Sequence, residues 1–295
     1  NNNFINTVSE HWLLLPFLSV FRTDLQRSVY DSTLSTEVIL EFLKKFNLEK
    51  TFIEEQKKFL FSLYEPLLQN GFLYVLDKTP RYYEILNELT EYFPESKIII
   101  LIRDPVDVLL SIIQTWNIKS LRGLDYYARD ILIAPLLLNK FCVEQSQNPN
   151  VIKLHYEDLV KKPETEIEQL FNRLNLQFNA SILNYTKNDK TSGKRGDPSG
   201  VYLYKKIVSK DEKFIDTSIT ERIWKDFISG YKFYCKQQNM DNYSRYIFDD
   251  GKPGKTFKYY LKINTGNYTK RRLNITDYLI FLKTKLLSKN LRKSL

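Results

Sequence analysis

The chain has 295 residues, of which 43% are hydrophobic and 14% aromatic, values that exclude an intrinsically disordered protein. The length is enough for one large domain with a complete core. Charge is divided unevenly, because residues 1–240 carry 31 basic and 31 acidic side chains, whereas residues 241–295 carry 13 and 4. The sequence therefore predicts a neutral core over residues 1–240 and a basic C-terminal extension over residues 241–295.

The cysteine content and the apolar runs bear on the cellular location of the protein. Cys142 and Cys235 are too few for a disulfide framework or a cysteine-built metal site, and we expect both to behave as buried hydrophobic side chains. No charged-then-apolar leader opens the chain, and no apolar run approaches 18 residues. These features predict a cytoplasmic protein without a membrane span.

Helical and strand-like patterns alternate along the chain. Two helical patterns come first, at residues 35–46 and 52–68. Ser35 is a candidate N-cap of the first. Short apolar runs bounded by polar residues then predict three strands, at residues 72–77, 97–102 and 151–156. Each is followed by an amphipathic helical pattern, at residues 80–93, 106–116 and 163–174. This alternation predicts an α/β fold in three layers, a parallel sheet with helices on both faces.

Polar side chains follow each predicted strand. Asp77 ends the first and Lys78 follows it, Arg103 follows the second, and Tyr156 ends the third and begins a Tyr-Glu-Asp run. In open parallel sheets, ligands bind at the carboxyl ends of the strands. We therefore expect these positions to form the functional site.

One of these strand ends carries a family signature. Residues 103–111, RDPVDVLLS, resemble the Arg-x-Pro-x-Asp-x-x-x-Ser motif with which sulfotransferases bind the 3′-phosphate of PAPS, the activated sulfate donor. The resemblance implies that Arg103 and Ser111 bind this phosphate. An arginine fork and a hydroxyl two turns into the next helix can converge on one phosphate through charge-assisted and neutral hydrogen bonds.

A second segment resembles the catalytic part of the same family. Residues 77–83, DKTPRYY, resemble the Glu-Lys-Thr/Ser-Pro segment of the sulfotransferases that act on sugar hydroxyls. The resemblance implies that Asp77 is the general base and that Lys78 stabilises charge on the breaking bond. Asp77 is one methylene shorter than the family's glutamate, and Pro80 stands where the small-molecule branch has a histidine.

Two further segments resemble parts of the donor site. Residues 155–164 resemble the family's Tyr-Glu-Asp-Leu segment, which implies that Tyr156 lies near the adenine and that Glu157 and Asp158 brace the fold. The glycine- and proline-containing loop at residues 193–200 resembles the family's late basic-glycine loop. Three of its positions are thereby expected to close over the 3′-phosphate: Lys194, Arg195 and Gly196.

The resemblance also implies a P-loop NTPase-like fold, in which a first strand and a phosphate-binding loop hold the 5′-phosphosulfate. Residues 1–17 look like the end of the helix after that loop, followed by the second strand. The chain is therefore expected to begin just after the loop.

The function implied is transfer of a sulfuryl group from PAPS to a hydroxyl or amine of a small-molecule or sugar acceptor, without a metal. A P-loop nucleotide kinase is one alternative, although residues 78–83 and 103–111 fit neither its Walker A lysine nor its magnesium-holding acidic residue well. A catalytically silent PAP- or anion-binding protein on the same scaffold is another. No recognised nucleic-acid-binding module is present, and the sequence does not indicate an oligomeric state.

Structural roles remain open for several of these residues. Arg103 is also suited to an ion pair with Asp104 or Asp107 at the start of a helix. Asp77 is equally suited to a helix cap or a salt bridge, in which case His11 is the next candidate base.

The basic extension allows more than one interpretation. Residues 252–272 interleave seven basic residues with aromatic ones, a pattern suited to holding an anionic or planar acceptor. The aromatic residues of this stretch are Phe257, Tyr259, Tyr260 and Tyr268. Residues 274–295 form an apolar stripe with lysines elsewhere, which fits either a helix packed on the domain or a peripheral membrane contact.

Overall fold

The computed structural model describes residues 5–7, 10, 12–22, 32–183, 222–238, 257, 260 and 261. These residues form a mixed α/β structure in which parallel strands alternate with helices. The strands are β1 Ile5–Thr7, β2 Tyr74–Leu76, β3 Ile98–Ile102 and β4 Val151–His155. The α-helices are α1 Leu14–Leu18, α2 Ser32–Lys45, α3 Glu49–Tyr64, α4 Leu86–Tyr92, α5 Pro105–Thr115, α6 Ala128–Leu132, α7 Ala134–Glu144, α8 Tyr156–Lys161, α9 Pro163–Arg173 and α10 Arg222–Gln237. Short 3₁₀ helices span Glu65–Gly71, Pro80–Ile85, Leu121–Tyr127 and Ala180–Leu183.

The three strands predicted from apolar runs are confirmed as β2, β3 and β4. β3 and β4 pair in parallel with Ile102 beside His155. Arg103 and Tyr156 are the first residues after these two strands, and they therefore lie side by side. This register brings two of the predicted site residues together.

The N-terminal segment differs from the prediction. A helix end followed by a strand was expected over residues 1–17, whereas the described residues there form β1 first and the short helix α1 afterwards. Leu14 and Leu18, one helical turn apart, are both buried in a cluster with the buried Leu60 of α3. A short leucine-rich run is compatible with a strand and with a buried helix, so the sequence pattern did not distinguish the two structures.

The described strands form two parallel pairs, β1 with β2 and β3 with β4. A hydrophobic cluster connects them, because Ile5 of β1 and Ile99 of β3 pack against a centre that contains Ile152 of β4 and Phe171 of α9. A mixed α/β fold with parallel strands is thus confirmed.

Helix α2 begins at Ser32, three residues before the predicted cap. Ser35 therefore lies in the first turn of the helix, and its predicted capping role is wrong. The sequence at this helix start, DSTLST at residues 31–36, contains several residues able to cap a helix, and this local signal does not select one of them.

Asparagine ends three of the helices. Asn47, Asn117 and Asn175 follow α2, α5 and α9 with φ values of 54°, 47° and 55°, in the left-handed region that asparagine tolerates better than most residues. At α5 the Ile118 N–H donates to the Ile113 carbonyl at 2.9 Å, the hydrogen bond that defines a Schellman C-cap. An asparagine-rich sequence thereby supplies sharp helix ends that return the chain to the next element.

The largest core cluster joins β3, α5, α6 and α10. Two tyrosines of α10 connect it to α6, since Tyr231 Oη donates to the Ile131 carbonyl at 2.7 Å and Tyr234 Oη to the Leu132 carbonyl at 3.3 Å. Cys235 is buried beside them, and burial raises the pKa of its thiol to about 12. It is therefore a core side chain as predicted.

Cys142, on α7, is half-buried, and both cysteines are free. Burial also raises the pKa of the Cys142 thiol. Within the described ranges, no helix has both the length and the apolar composition needed to cross a membrane.

Two residues of the basic extension also enter this core. Phe257 is 1% exposed and Tyr260 3% exposed, and Tyr260 Oη donates to the Leu124 carbonyl at 2.9 Å. Their rings pack against Phe227 of α10, so they do not present a face to an acceptor, and that hypothesis is wrong for these two residues. Tyr259, Tyr268 and residues 274–295 lie outside the described residues.

Candidate active site

Arg103 lies at the end of β3 with its guanidinium over the ring of Tyr156, 4.6 Å from the ring centroid. The register of β3 and β4 explains this contact, because each residue is the first one after its strand. The Nε atom of Arg103 is buried and has no hydrogen-bond acceptor among the described residues. A buried donor without an acceptor costs about 1–3 kcal/mol, which an anionic ligand at this position would relieve.

Asp104 makes the turn from β3 into α5. It is 1% exposed, and its Oδ1 accepts hydrogen bonds from the backbone N–H groups of Val106 at 2.8 Å and Asp107 at 3.2 Å. These bonds cap α5, and Pro105 occupies its first position, where a missing N–H costs nothing. The Asp104 carboxylate is thus a helix cap, and no ion pair joins it to Arg103 among the described residues.

Glu157 connects the two strand ends. Its Oε1 accepts a hydrogen bond of 2.9 Å from the Asp104 N–H, which joins the start of α8 to the start of α5. This contact is the bracing role expected for Glu157. It fixes the backbone on both sides of the Arg103–Tyr156 pair.

Ser111 lies in the second turn of α5 and is partly exposed. No hydrogen bond joins it to Arg103 in the described part of the chain. The two side chains are therefore positioned by the same strand–helix turn without contacting each other.

Asp77, just after β2, is held by two tyrosines. Tyr64 Oη at the end of α3 donates to Asp77 Oδ2 at 2.5 Å, and Tyr82 Oη donates to the same oxygen at 2.8 Å. Thr79 Oγ1 lies 3.5 Å from Oδ1. Tyr82 Oη also accepts a 3.1 Å hydrogen bond from the Leu14 N–H at the start of α1.

The hydroxyls of Tyr64 and Tyr82 keep their protons. Burial and the hydrogen bond to Asp77 raise the pKa of Tyr64 far above its usual value. Burial and the charge of Asp77 do the same to the pKa of Tyr82. Both hydroxyls therefore stay protonated and donate to the carboxylate at any physiological pH.

Lys78, the next residue, forms an ion pair with Glu10. The Lys78 side chain is 59% exposed, whereas that of Glu10 is 13% exposed, so the carboxylate forms the buried end of the pair. The segment between β1 and α1 thus contacts this part of the site twice, through Glu10 and through the Leu14 N–H.

Arg81 extends this region away from Lys78. Its guanidinium binds Asp130 of α6, at 2.8 Å from Nη2 to Oδ2 and 3.2 Å from Nε to Oδ1. It also lies 5.4 Å from the ring centroid of Trp12 and 5.0 Å from that of Tyr126. Tyr83 Oη donates to Asp130 at 2.7 Å, so the adjacent Tyr82 and Tyr83 serve two different carboxylates.

Comparison with known proteins identifies the family to which this arrangement belongs. The model of the sulfotransferase family matches residues 6–180, more than half of the chain. The chain belongs to the sulfotransferase family. The matched range contains all of the predicted site residues before residue 180, namely His11, Asp77, Lys78, Arg103, Ser111 and Tyr156.

The chain is also similar to two individual proteins, each at low sequence identity. It is 25% identical over 184 residues to the nodulation protein NoeE of Sinorhizobium fredii, across 56% of this chain and 43% of that protein. The chain thus spans less than half the length of this curated relative. Among solved structures, it is similar to the sulfotransferase domain from the curacin biosynthetic pathway, with 17% identity, a TM-score of 0.39, and coverage of 90% of this chain and 99% of that domain.

The structure brings the predicted site residues into two groups. Arg103 and Tyr156 are in contact at one strand end, with Ser111 on the adjoining helix; Asp77 and Lys78 lie at another. The other predicted positions lie outside the described residues: His11, Lys194, Arg195 and Gly196. The described residues include no cluster of three or more potential metal ligands.

Three partners in the site were not predicted from the sequence. Tyr64 and Glu10 lie 13 and 68 residues from the side chains that they contact, and no local pattern connects them. Tyr82 falls within the amphipathic pattern predicted over residues 80–93, and its ring is buried. Tyr82 comes five residues after Asp77, with Pro80 between them. This short separation was the one sequence signal that its hydroxyl contacts Asp77.

Proposed function

We propose that this sulfotransferase transfers a sulfuryl group from PAPS to a hydroxyl or amine of a small-molecule or sugar acceptor. The observation that carries the proposal is the Arg103 side chain, which is stacked on Tyr156 with a buried Nε that has no acceptor among the described residues. Arg103 also begins the segment that resembles the family's 3′-phosphate signature. A phosphate oxygen forms a charge-assisted hydrogen bond with such a donor, about twice as strong as a neutral one.

Arg103 binds the 3′-phosphate in this proposal, together with the Ser111 hydroxyl. Tyr156 holds the guanidinium in orientation and borders the adenine. Cation–π contact limits the rotamers of a long side chain that otherwise loses much entropy on binding. The resemblance adds the loop residues Lys194, Arg195 and Gly196 to the same phosphate.

Asp77 and Lys78 act on the transferred group. As the acceptor oxygen or nitrogen forms a bond to sulfur, the bond between sulfur and the 5′-phosphate oxygen breaks and its electron pair stays on that oxygen, giving PAP. Asp77 takes the acceptor proton, and the Lys78 ammonium stabilises charge on the bridging and sulfuryl oxygens. Lys78 exchanges its Glu10 carboxylate for the donor in this step.

The proposal extends to the architecture. It places the two parallel strand pairs in a three-layer, P-loop-type fold, with residues 1–240 as the catalytic core and residues 241–295 as a basic extension. Phe257 and Tyr260 anchor that extension in the core. The two free cysteines are in keeping with a cytoplasmic location.

One observation favours the silent PAP-binding alternative. Asp77 and Lys78 both have protein partners, the two tyrosines and Glu10, so each is electrostatically satisfied without a substrate. A protein that had lost catalysis and kept nucleotide binding would need no substrate contact from either residue. Family membership and the Asp-Lys-Thr-Pro segment support the enzyme instead.

Calorimetric titration of the protein with PAP, and separately with AMP, tests the donor site. AMP lacks the 3′-phosphate, so we expect PAP to bind at least about 30-fold more tightly, as the loss of charge-assisted hydrogen bonds to Arg103 costs about 2 kcal/mol or more. Equal binding of both nucleotides, or of neither, removes the PAPS proposal. Radiolabelled sulfuryl transfer from PAPS to a panel of hydroxyl and amine acceptors then separates the enzyme from the silent protein.

A further inference from the structure

Three distant segments meet at one oxygen of Asp77. Tyr64 reaches Oδ2 from the end of α3 at 2.5 Å, and Tyr82 reaches it from the 3₁₀ helix Pro80–Ile85 at 2.8 Å. The Leu14 N–H, at the start of α1, donates to Tyr82 Oη at 3.1 Å and so orients that hydroxyl. We call the Tyr64 and Tyr82 hydroxyls the tyrosine clamp.

The tyrosine clamp is rigid. Tyr82 is 8% exposed, and its ring belongs to a core cluster built around the fully buried Leu60 and Ile85, with Tyr64 packed against that cluster. Rings packed in this way have little rotamer freedom, so their hydroxyls are fixed points. Two fixed donors on a single carboxylate oxygen determine both torsion angles of a short side chain such as aspartate.

This orientation matters for proton transfer. A general base must lie within about 2.6–3.2 Å of the proton that it removes, and small displacements cost large factors in rate. Asp77 is one methylene shorter than the glutamate of the sequences that it resembles, so its reach is smaller. A shorter base depends more on being held at a fixed position.

We infer that Tyr64 and Tyr82 are positioning residues for sulfuryl transfer, which hold the Asp77 carboxylate through Oδ2 in the orientation that removes the acceptor proton. This inference rests on the proposed function. The protonated state of both tyrosines agrees with it, because each hydroxyl remains a donor to the carboxylate. A purely structural role for the same hydrogen bonds predicts different kinetics.

A double-mutant cycle between Tyr64→Phe and Asp77→Asn separates the two roles. We expect Tyr64→Phe to lower kcat by about 10- to 100-fold, with the dissociation constant for PAP and the acceptor KM within about 2-fold of the parent values. In the Asp77→Asn background, adding Tyr64→Phe lowers kcat by less than about 2-fold, because Tyr64 acts through Asp77. Single-turnover assays at high enzyme concentration measure the slow variants.

Tyr92→Phe is the matched control. Its hydroxyl also donates one side-chain hydrogen bond, to Gln56 Oε1 at 2.8 Å, and its ring belongs to the same core cluster, but it does not contact Asp77. We expect kcat to remain unchanged in this variant. Tyr82→Phe is the second test should Tyr64→Phe fold poorly, and the same loss of effect in the Asp77→Asn background is expected.

The outcomes are distinguishable. If Tyr64→Phe lowers kcat by the same factor in both backgrounds, or changes only the midpoint of thermal unfolding, the clamp is structural and the inference is overturned while the proposed function stands. If the parent protein neither binds PAP nor transfers a sulfuryl group, the proposed function itself fails, and the inference fails with it. Loss of the Tyr64 effect in the Asp77→Asn background, with Tyr92→Phe unchanged, supports the inference.

Discussion

The two strand-end regions of the site differ in how their charged groups are satisfied. At the ends of β3 and β4, Arg103 has a stacked ring beneath it and a buried Nε with no acceptor among the described residues. After β2, Asp77 receives two tyrosine hydroxyls and Lys78 pairs with Glu10. In the function that we propose, a ligand completes the first region, whereas the protein itself already supplies partners in the second.

Under the function that we propose, this difference matches the two tasks of a group-transfer enzyme. Binding an anion requires donors whose desolvation the ligand itself offsets, so an incompletely satisfied arginine is favourable there. Catalysis requires a base held in one orientation before the substrate arrives, so partners that restrict its motion are favourable instead. Substitutions in the two regions should accordingly change different quantities, the affinity for PAP in one and the turnover in the other.

The largest effect is expected at Asp77. We expect Asp77→Asn to lower turnover by about 10²- to 10⁴-fold, as loss of a general base does, and to leave PAP affinity nearly unchanged. Measurements of kcat and of the dissociation constant for PAP on the same preparation test both halves. Glu168→Gln, at an exposed position on α9, is the control for loss of a carboxylate and should behave as the parent protein.

A small loss of turnover in Asp77→Asn would contradict the assignment of the base. The next candidates are then Glu10, which already contacts Lys78, and His11. In that case the Asp77 hydrogen bonds are structural, and the contrast between the two regions is weaker than we propose.

A smaller effect, confined to binding, is expected at Arg103. We expect Arg103→Ala to weaken PAP binding by about 2–4 kcal/mol, or about 30- to 700-fold, because the phosphate loses a charge-assisted partner. AMP binding should change little, since AMP has no 3′-phosphate. Arg173→Ala, at the exposed C-terminal end of α9, controls for the loss of a positive charge alone. Unchanged PAP affinity in Arg103→Ala would remove this residue from the donor site.

The sequence was sufficient to place Arg103 and Tyr156 together in the candidate site. Five consecutive aliphatic residues identify β3, and the following Arg-Asp-Pro places an arginine at the strand end and a helix start directly after it. The contact between Arg103 and Tyr156 follows from parallel pairing of two correctly predicted strands. Local sequence patterns predict this region well, because the strand, the turn and the helix cap are each determined by residues that are neighbours in the sequence.

The other half depends on contacts that local patterns do not encode. The partners of Asp77 and Lys78 come from α3 and from the segment between β1 and α1, and their positions depend on how helices pack. The order of β1 and α1 was wrong for a related reason, since the leucines of α1 are helical only because α3 and the Pro80–Ile85 helix cover them. Tertiary packing decides both features.

The smallest effect distinguishes two roles of Tyr156. Its ring either acts through Arg103, over which it lies at 4.6 Å, or contacts the adenine directly as the resemblance implies. A cation–π contact contributes about 0.5–2 kcal/mol, so we expect Tyr156→Ala to weaken PAP binding by about 3- to 30-fold. Tyr156→Phe keeps the ring and should bind PAP within about 2-fold of the parent protein.

Adding Tyr156→Ala to the Arg103→Ala variant then decides between the roles. If the ring acts through Arg103, its loss costs nothing further once the guanidinium is absent, because no orientation remains to be held. If PAP binding falls again by a similar factor, and AMP binding falls with it, the ring contacts the adenine that both nucleotides share. The first result means that the Arg103–Tyr156 region recognises the 3′-phosphate alone. The second means that this region also contacts the adenine.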